Sequence, residues 1–201
     1  MFRLDNILEA WATAYKPLSH NPDDGKKHRS FYRIDTINGN NEFVQNYNIA
    51  PSPCMAYSTL VDGSLARSNK KVISYRHTIY FMVRQNPPAS KAKTVTNDSL
   101  EATSAKYDAD DLVQDLLAFL FALKDASGQT VRGTGTSGTD FVHKIVATLP
   151  EDDLKALSGL QLEGAEWGTL PVRYNQWWIC GLQIEQLAPR SLCVVPERYN
   201  L

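Results

Sequence analysis

The chain has 201 residues, with 21 Lys and Arg against 22 Asp and Glu, a formal net charge of −1. Hydrophobic residues make up 43% and charged residues 21%, the make-up of an ordinary globular protein rather than a disordered, collagenous or coiled-coil chain. A general nucleic-acid binder carries a basic excess that is missing here, and no run approaches the ~20 apolar residues of a membrane-spanning helix. A chain of this size buries roughly 70% of its surface, which predicts a single domain over residues 1–201.

The first element is a helix over residues 4–16. Leu4, Ile7, Leu8, Trp11 and Tyr15 recur at steps of three and four, and Pro17 stops the run. The start of the chain has acids and aromatics where a signal peptide has an unbroken apolar region. Strands follow at 30–35 and 42–48, around an Asn38-Gly39 turn signal, and at 53–61. Asp62-Gly63 reads as the opening of a turn. Residues 71–84 give the clearest strand: Ile73, Tyr75, His77, Ile79, Phe81 and Val83 alternate with more polar residues. Its length suggests a hairpin arm.

Residues 86–107 hold two prolines and few large apolar groups, which predicts a long exposed loop. A second helix is expected over 109–124, with Asp108 as N-cap. Its apolar residues cover more than half of its circumference, so it is buried on more than one side. A second long loop spans 126–140. Residues 141–149 read as a strand, 150–157 as a helical turn or two, and 160–162 and 170–174 as short strands. Residues 176–187 form the second strong strand, ended by Pro189, with an edge strand at 191–195. Trp177 and Trp178 then point to opposite faces. Together these elements predict an α+β fold: an antiparallel or mixed β-sheet with a long hairpin, packed by an N-terminal helix and a central apolar helix.

No motif carries a recognised chemistry. Gly133, Gly135 and Gly138 spell GxGxxG, but no strand precedes them and no helix pattern follows, so a polar loop is the better reading. His20, His28, His77 and His143 have no partner at metal-ligand spacing, and HExxH and GxSxG are missing. Cys54, Cys180 and Cys193 form no CxxC pair and sit among apolar neighbours, as reduced core cysteines do. The acidic clusters at 108–111 and 151–153 precede helical patterns and suit the positive helix end. No catalytic residue, metal or cofactor is therefore expected. The candidate interface residues are two basic runs, Lys26, Lys27 and Arg29, and Arg67, Lys70 and Lys71, together with Trp177. The basic runs suit an acidic partner surface or a nucleic-acid backbone.

The succession of LDNILEAWATAY, VISYRHTIYFMVRQ, DADDLVQDLLAFLFALKD and WWICGLQIEQLAP resembles the tail-terminator and head–tail joining proteins of tailed bacteriophages. The resemblance spans most of the chain as a layout of elements. It implies a non-enzymatic virion subunit that forms a ring, typically of six copies, at the tail end or neck. Its partners would be further copies, the tail tube and neck or portal-adjacent proteins, with DNA contact left open. The competing reading is a non-catalytic carbohydrate- or macromolecule-binding module with Trp167 or Trp177 as platforms.

Overall fold

The structure is a computed structural model that describes residues 4–23, 29–34, 50–59, 62–65, 72–84, 100–128, 140–169 and 177–189. In chain order the elements are α1 (Asp5–Ala14), β1 (Phe31–Ile34), β2 (Cys54–Ser58), β3 (Asp62–Leu65), β4 (Val72–Arg84), α2 (Leu100–Gly128), α3 (Asp140–Thr148), α4 (Glu151–Leu157), β5 (Leu160–Thr169) and β6 (Trp177–Pro189). The fold is α+β, with helices on a mixed six-stranded sheet. Its order is β1-β2-β4-β6-β5, with β3 pairing the first part of β4. β1 runs parallel to β2, and the other pairs are antiparallel.

β4 and β6 form the spine. They pair residue for residue from Val72↔Pro189 to Arg84↔Trp177. The alternation expected in β4 is present: Ile73, His77, Ile79, Phe81 and Val83 are buried, while Arg76 is exposed. Among the described residues no arm projects beyond the sheet, because β6 pairs with β4 from Val72 to Arg84.

α1 and α2 pack on one face of the sheet. Ile7, Leu8 and Trp11 of α1 join Leu112, Val113, Leu116 and Leu120 of α2 over Ile79, Phe81, Cys180 and Leu182. Trp11 stacks on Tyr15, with ring centroids 4.5 Å apart, and meets Phe81 edge-on at 6.1 Å. α1 ends where the Tyr15 N–H bonds to the Trp11 carbonyl, just before Pro17. The opposite face carries a second cluster in which Trp177, Met82, Cys54, Ala56, Tyr32 and Ile34 are buried. Trp177 and Trp178 therefore do point to opposite faces, and α2 covers the Trp178 side.

Several expectations are corrected. α2 begins at Leu100, so the last third of the expected 86–107 loop is helix. The helix buries Ala105 and Ala109, 4% and 1% exposed; small residues gave the apolar stripe without bulk. Asp108 is therefore inside the helix and not its N-cap. α2 also runs to Gly128 and α3 starts at Asp140, which trims both ends of the expected 126–140 loop. The expected strand at 141–149 is helix α3, which buries Val142 and Ile145. β-branched residues suggested a strand, but the steps of three and four from Val142 to Leu149 suit a helix packed on α2. Asp62-Gly63 opens strand β3 rather than a turn. β5 reaches Thr169, well beyond the short strand expected at 160–162. The expected strands at 42–48, 170–174 and 191–195 and the GxGxxG run lie outside the described residues.

Two substitutions test this core. Leu116→Ala or Phe81→Ala removes a fully buried side chain and should cost about 2–5 kcal/mol in chemical denaturation. At Gly159 an added Cβ would lie 2.2 Å from the Leu187 carbonyl oxygen, whose own residue donates its N–H to the Gly159 carbonyl at 2.8 Å. Gly159→Ala should therefore destabilise by about 1–3 kcal/mol.

Candidate functional site

A polar network ties α1 to β1. Asp5 and Glu9 stand one helical turn apart on α1. Arg33 of β1 donates through Nε to Asp5 Oδ2 at 3.0 Å and through Nη2 to Glu9 Oε2 at 2.7 Å. The other oxygen of Glu9, Oε1, lies 3.5 Å from Nε2 of the buried His20. His20 Nδ1 accepts the N–H groups of Ser30 and Phe31 at 3.1 and 3.3 Å. This fixes the tautomer with its proton on Nε2, towards Glu9. Burial holds the His20 pKa below its usual value, against the pull of Glu9.

His77 is the second buried imidazole. Tyr57 donates its hydroxyl to Nδ1 at 2.9 Å, and Nε2 donates to Gln186 Oε1 at 2.9 Å. Burial lowers the pKa of His77 as well, opposed by the Gln186 bond. Both imidazoles are committed to internal contacts and almost shielded from solvent, so neither is placed to act on a substrate. Cys54 and Cys180 are free and buried. Burial raises the Cys54 thiol far above its usual range and Cys180 to about 11, so both stay protonated at neutral pH and are poor nucleophiles. Among the described residues no group of three or more His, Cys, Asp or Glu could hold a metal.

The surfaces offer more. Trp167 on β5 is 46% exposed and donates its indole N–H to Asp110 Oδ1 of α2 at 2.9 Å. Tyr107 and Phe121, 66% and 40% exposed, stand almost four turns apart on the outward stripe of α2. From Glu163 to Thr169 every residue of β5 except Ala165 is exposed. A cleft of about 590 Å³ separates α1 from α3, between Ala10 and Ala14 on one side and Ile145 and Leu149 on the other. A smaller cleft, of about 260 Å³, lies on the opposite face of the sheet, lined by Arg76, Gly164, Glu166, Gln183 and Glu185.

Of the expected interface residues, the structure describes Trp177 and Arg29. Trp177 is 1% exposed with the Arg84 guanidinium 4.6 Å above its ring, so it is a core residue and no surface platform. Arg29 precedes β1 and is half-buried. Lys26, Lys27, Arg67, Lys70 and Lys71 lie outside the described residues. The exposed indole is Trp167, which sequence alternation could not single out because β5 carries a register irregularity between Gln161 and Glu166.

The histidines generate a pH prediction. Both folded pKa values lie below the unfolded value of about 6.5, so the unfolded chain binds more protons as pH falls. Stability is fully present above about pH 6.5 and should decline as the pH falls through and below that value. Unfolding followed in urea across that fall should show the slope, and His20→Gln/His77→Gln should flatten it while lowering stability at pH 8. No family model matches the chain, and no curated protein or solved structure matches it.

Proposed function

We propose that the chain is a structural subunit of a phage-type particle, working by assembly in a ring of identical copies at the tail end or the head–tail neck. The observation that carries this reading is the aromatic surface of α2 and β5. Tyr107, Phe121 and Trp167 are large and exposed, of the residue types that anchor protein interfaces. Trp167 stands on an exposed edge strand, a template for contact with another chain. The layout of an N-terminal helix, a sheet with two long strands and a long central helix supports the same reading through its resemblance to tail-terminator and joining proteins. A ring subunit needs two different patches that meet head to tail.

A second reading, a non-catalytic carbohydrate- or macromolecule-binding module, draws on Trp167 alone, since the other tryptophans are buried. Electron microscopy of the particle that carries the chain separates the two. The ring reading expects a closed ring of copies at the tail end or neck. A monomer whose Trp fluorescence saturates on titration with a glycan would reject it. Tyr107→Ala/Phe121→Ala should change stability by no more than about 0.5 kcal/mol, yet weaken subunit contacts by more than about 1 kcal/mol, read from incorporation into the particle.

A further inference from the structure

We infer that the polar half of the sheet face opposite α2 receives the Lys26–Arg29 segment of a second copy of this chain. The inference rests on the ring reading and names one of its contacts. Register places Arg76 and Thr78 of β4, Gln183 and Glu185 of β6, Glu166 of β5 and Asp62 of β3 on this face. Among these, three carboxylates face one guanidinium. Arg76 Nη2 is 3.8 Å from Glu185 Oε1, and both side chains are about half exposed, so the contact is weak. The face also has two adjacent positions without side chains. Gly181 stands between Tyr80 and Gly168 in one cross-strand row, and a Cβ at Gly168 would meet nothing within 4 Å. An extended segment can approach the backbone closely there, with its cations over Glu166 and Glu185.

The same chain holds the complementary charge, Lys26-Lys27-His28-Arg29, and cannot deliver it to itself. Phe31, Met55, Phe81, Cys180 and Thr169 form one row across the sheet. Glu166 lies four strand spacings and three residues from Phe31, and Glu185 three spacings and five residues. At about 4.8 Å per strand and 3.3 Å per residue, each is about 22 Å away. The chain before Phe31 also leaves the row in the opposite sense, past Ser30, whose carbonyl accepts the Met55 N–H. Two or three residues from Arg29 span at most about 10 Å, so neither lysine reaches the cleft in its own subunit. A basic segment at one corner and an acidic face at the other can meet only between copies, head to tail. The other basic run, 67–71, links β3 to β4 in the sequence of the same subunit, so it is the control.

The test uses the full chain. Sedimentation velocity over a concentration series, with carbodiimide cross-linking of mixed light and isotope-labelled chains, reads self-association and its contacts. The wild type should associate more tightly at low salt and yield inter-chain links from Lys26 or Lys27 to Glu166 or Glu185. K26E/K27E and E166K/E185K should each weaken association about tenfold or more with melting unchanged. Combining all four substitutions should restore it, and K70E/K71E should leave it unaltered. Association that survives both reversals, or is not restored by the combination, overturns this docking while leaving a ring built on other contacts. Loss caused only by K70E/K71E also overturns it. A wild type that neither associates nor cross-links at the highest concentration overturns the docking, and the ring reading is then decided separately by imaging of the particle.

Discussion

The β4–β6 ladder is the constraint on which the other elements depend. Residues about a hundred positions apart pair without a break for thirteen positions, so α2, α3, α4 and β5 must all fit within the excursion between them. The ladder fixes what each face can be. One row of alternating side chains, from Ile73 to Val83 and from Trp178 to Ala188, faces α1 and α2. The other, from Val72 to Arg84 and from Trp177 to Pro189, faces away. A slip by one residue would exchange the two sets and place Arg76 and Glu185 in the helix interface.

That arrangement explains the width of the apolar stripe on α2. The helix lies on β4, β5 and β6 and also meets α3 and α4. It therefore needs buried residues on two sides, while Asp111, Gln114 and Phe121 keep the outward stripe exposed. Its ends are tied to the sheet by polar contacts. Lys106 Nζ lies 4.5 Å over the Trp178 ring, and Lys124 Nζ donates to the Leu160 carbonyl at 2.8 Å. Tyr15 donates to Asp115, which fastens α1 to the middle of α2. Burial, reinforced by Asp115, pushes the Tyr15 pKa up, so the phenol keeps its proton.

Buried polar groups are placed where the elements must agree. His77 bridges β2 and β6 through Tyr57 and Gln186 from its central position on β4. His20 meets the chain just before β1, and Arg33 joins β1 to both carboxylates of α1. Such groups are costly in any packing that leaves them unpaired. They thereby select one arrangement of α1, β1, β2, β4 and β6 among those that apolar patterning alone would allow.

Residues 72–84 and 177–189 were legible in the sequence because alternation over many positions is a local property of a strand with one buried face. Residues 5–14 were legible for the matching reason, a single apolar stripe ended by a proline. The start of α2 was not, since Ala105 and Ala109 become core residues only because the sheet lies close enough to bury them. Residues 140–148 and 62–65 were misjudged because β-branched residues and an Asp-Gly pair carry local preferences that packing on α2 and pairing with β4 overrule. The surface followed the same division. Sequence alone supplied the charges and the aromatic residues, and it named Trp177 beside Trp167. Only the tertiary structure decided that Trp177 is core, that Trp167 is exposed on an edge strand, and that Glu166 and Glu185 share one face. Exposure and proximity are set by strand register and by what lies above each face, and neither is encoded in the neighbourhood of a single residue.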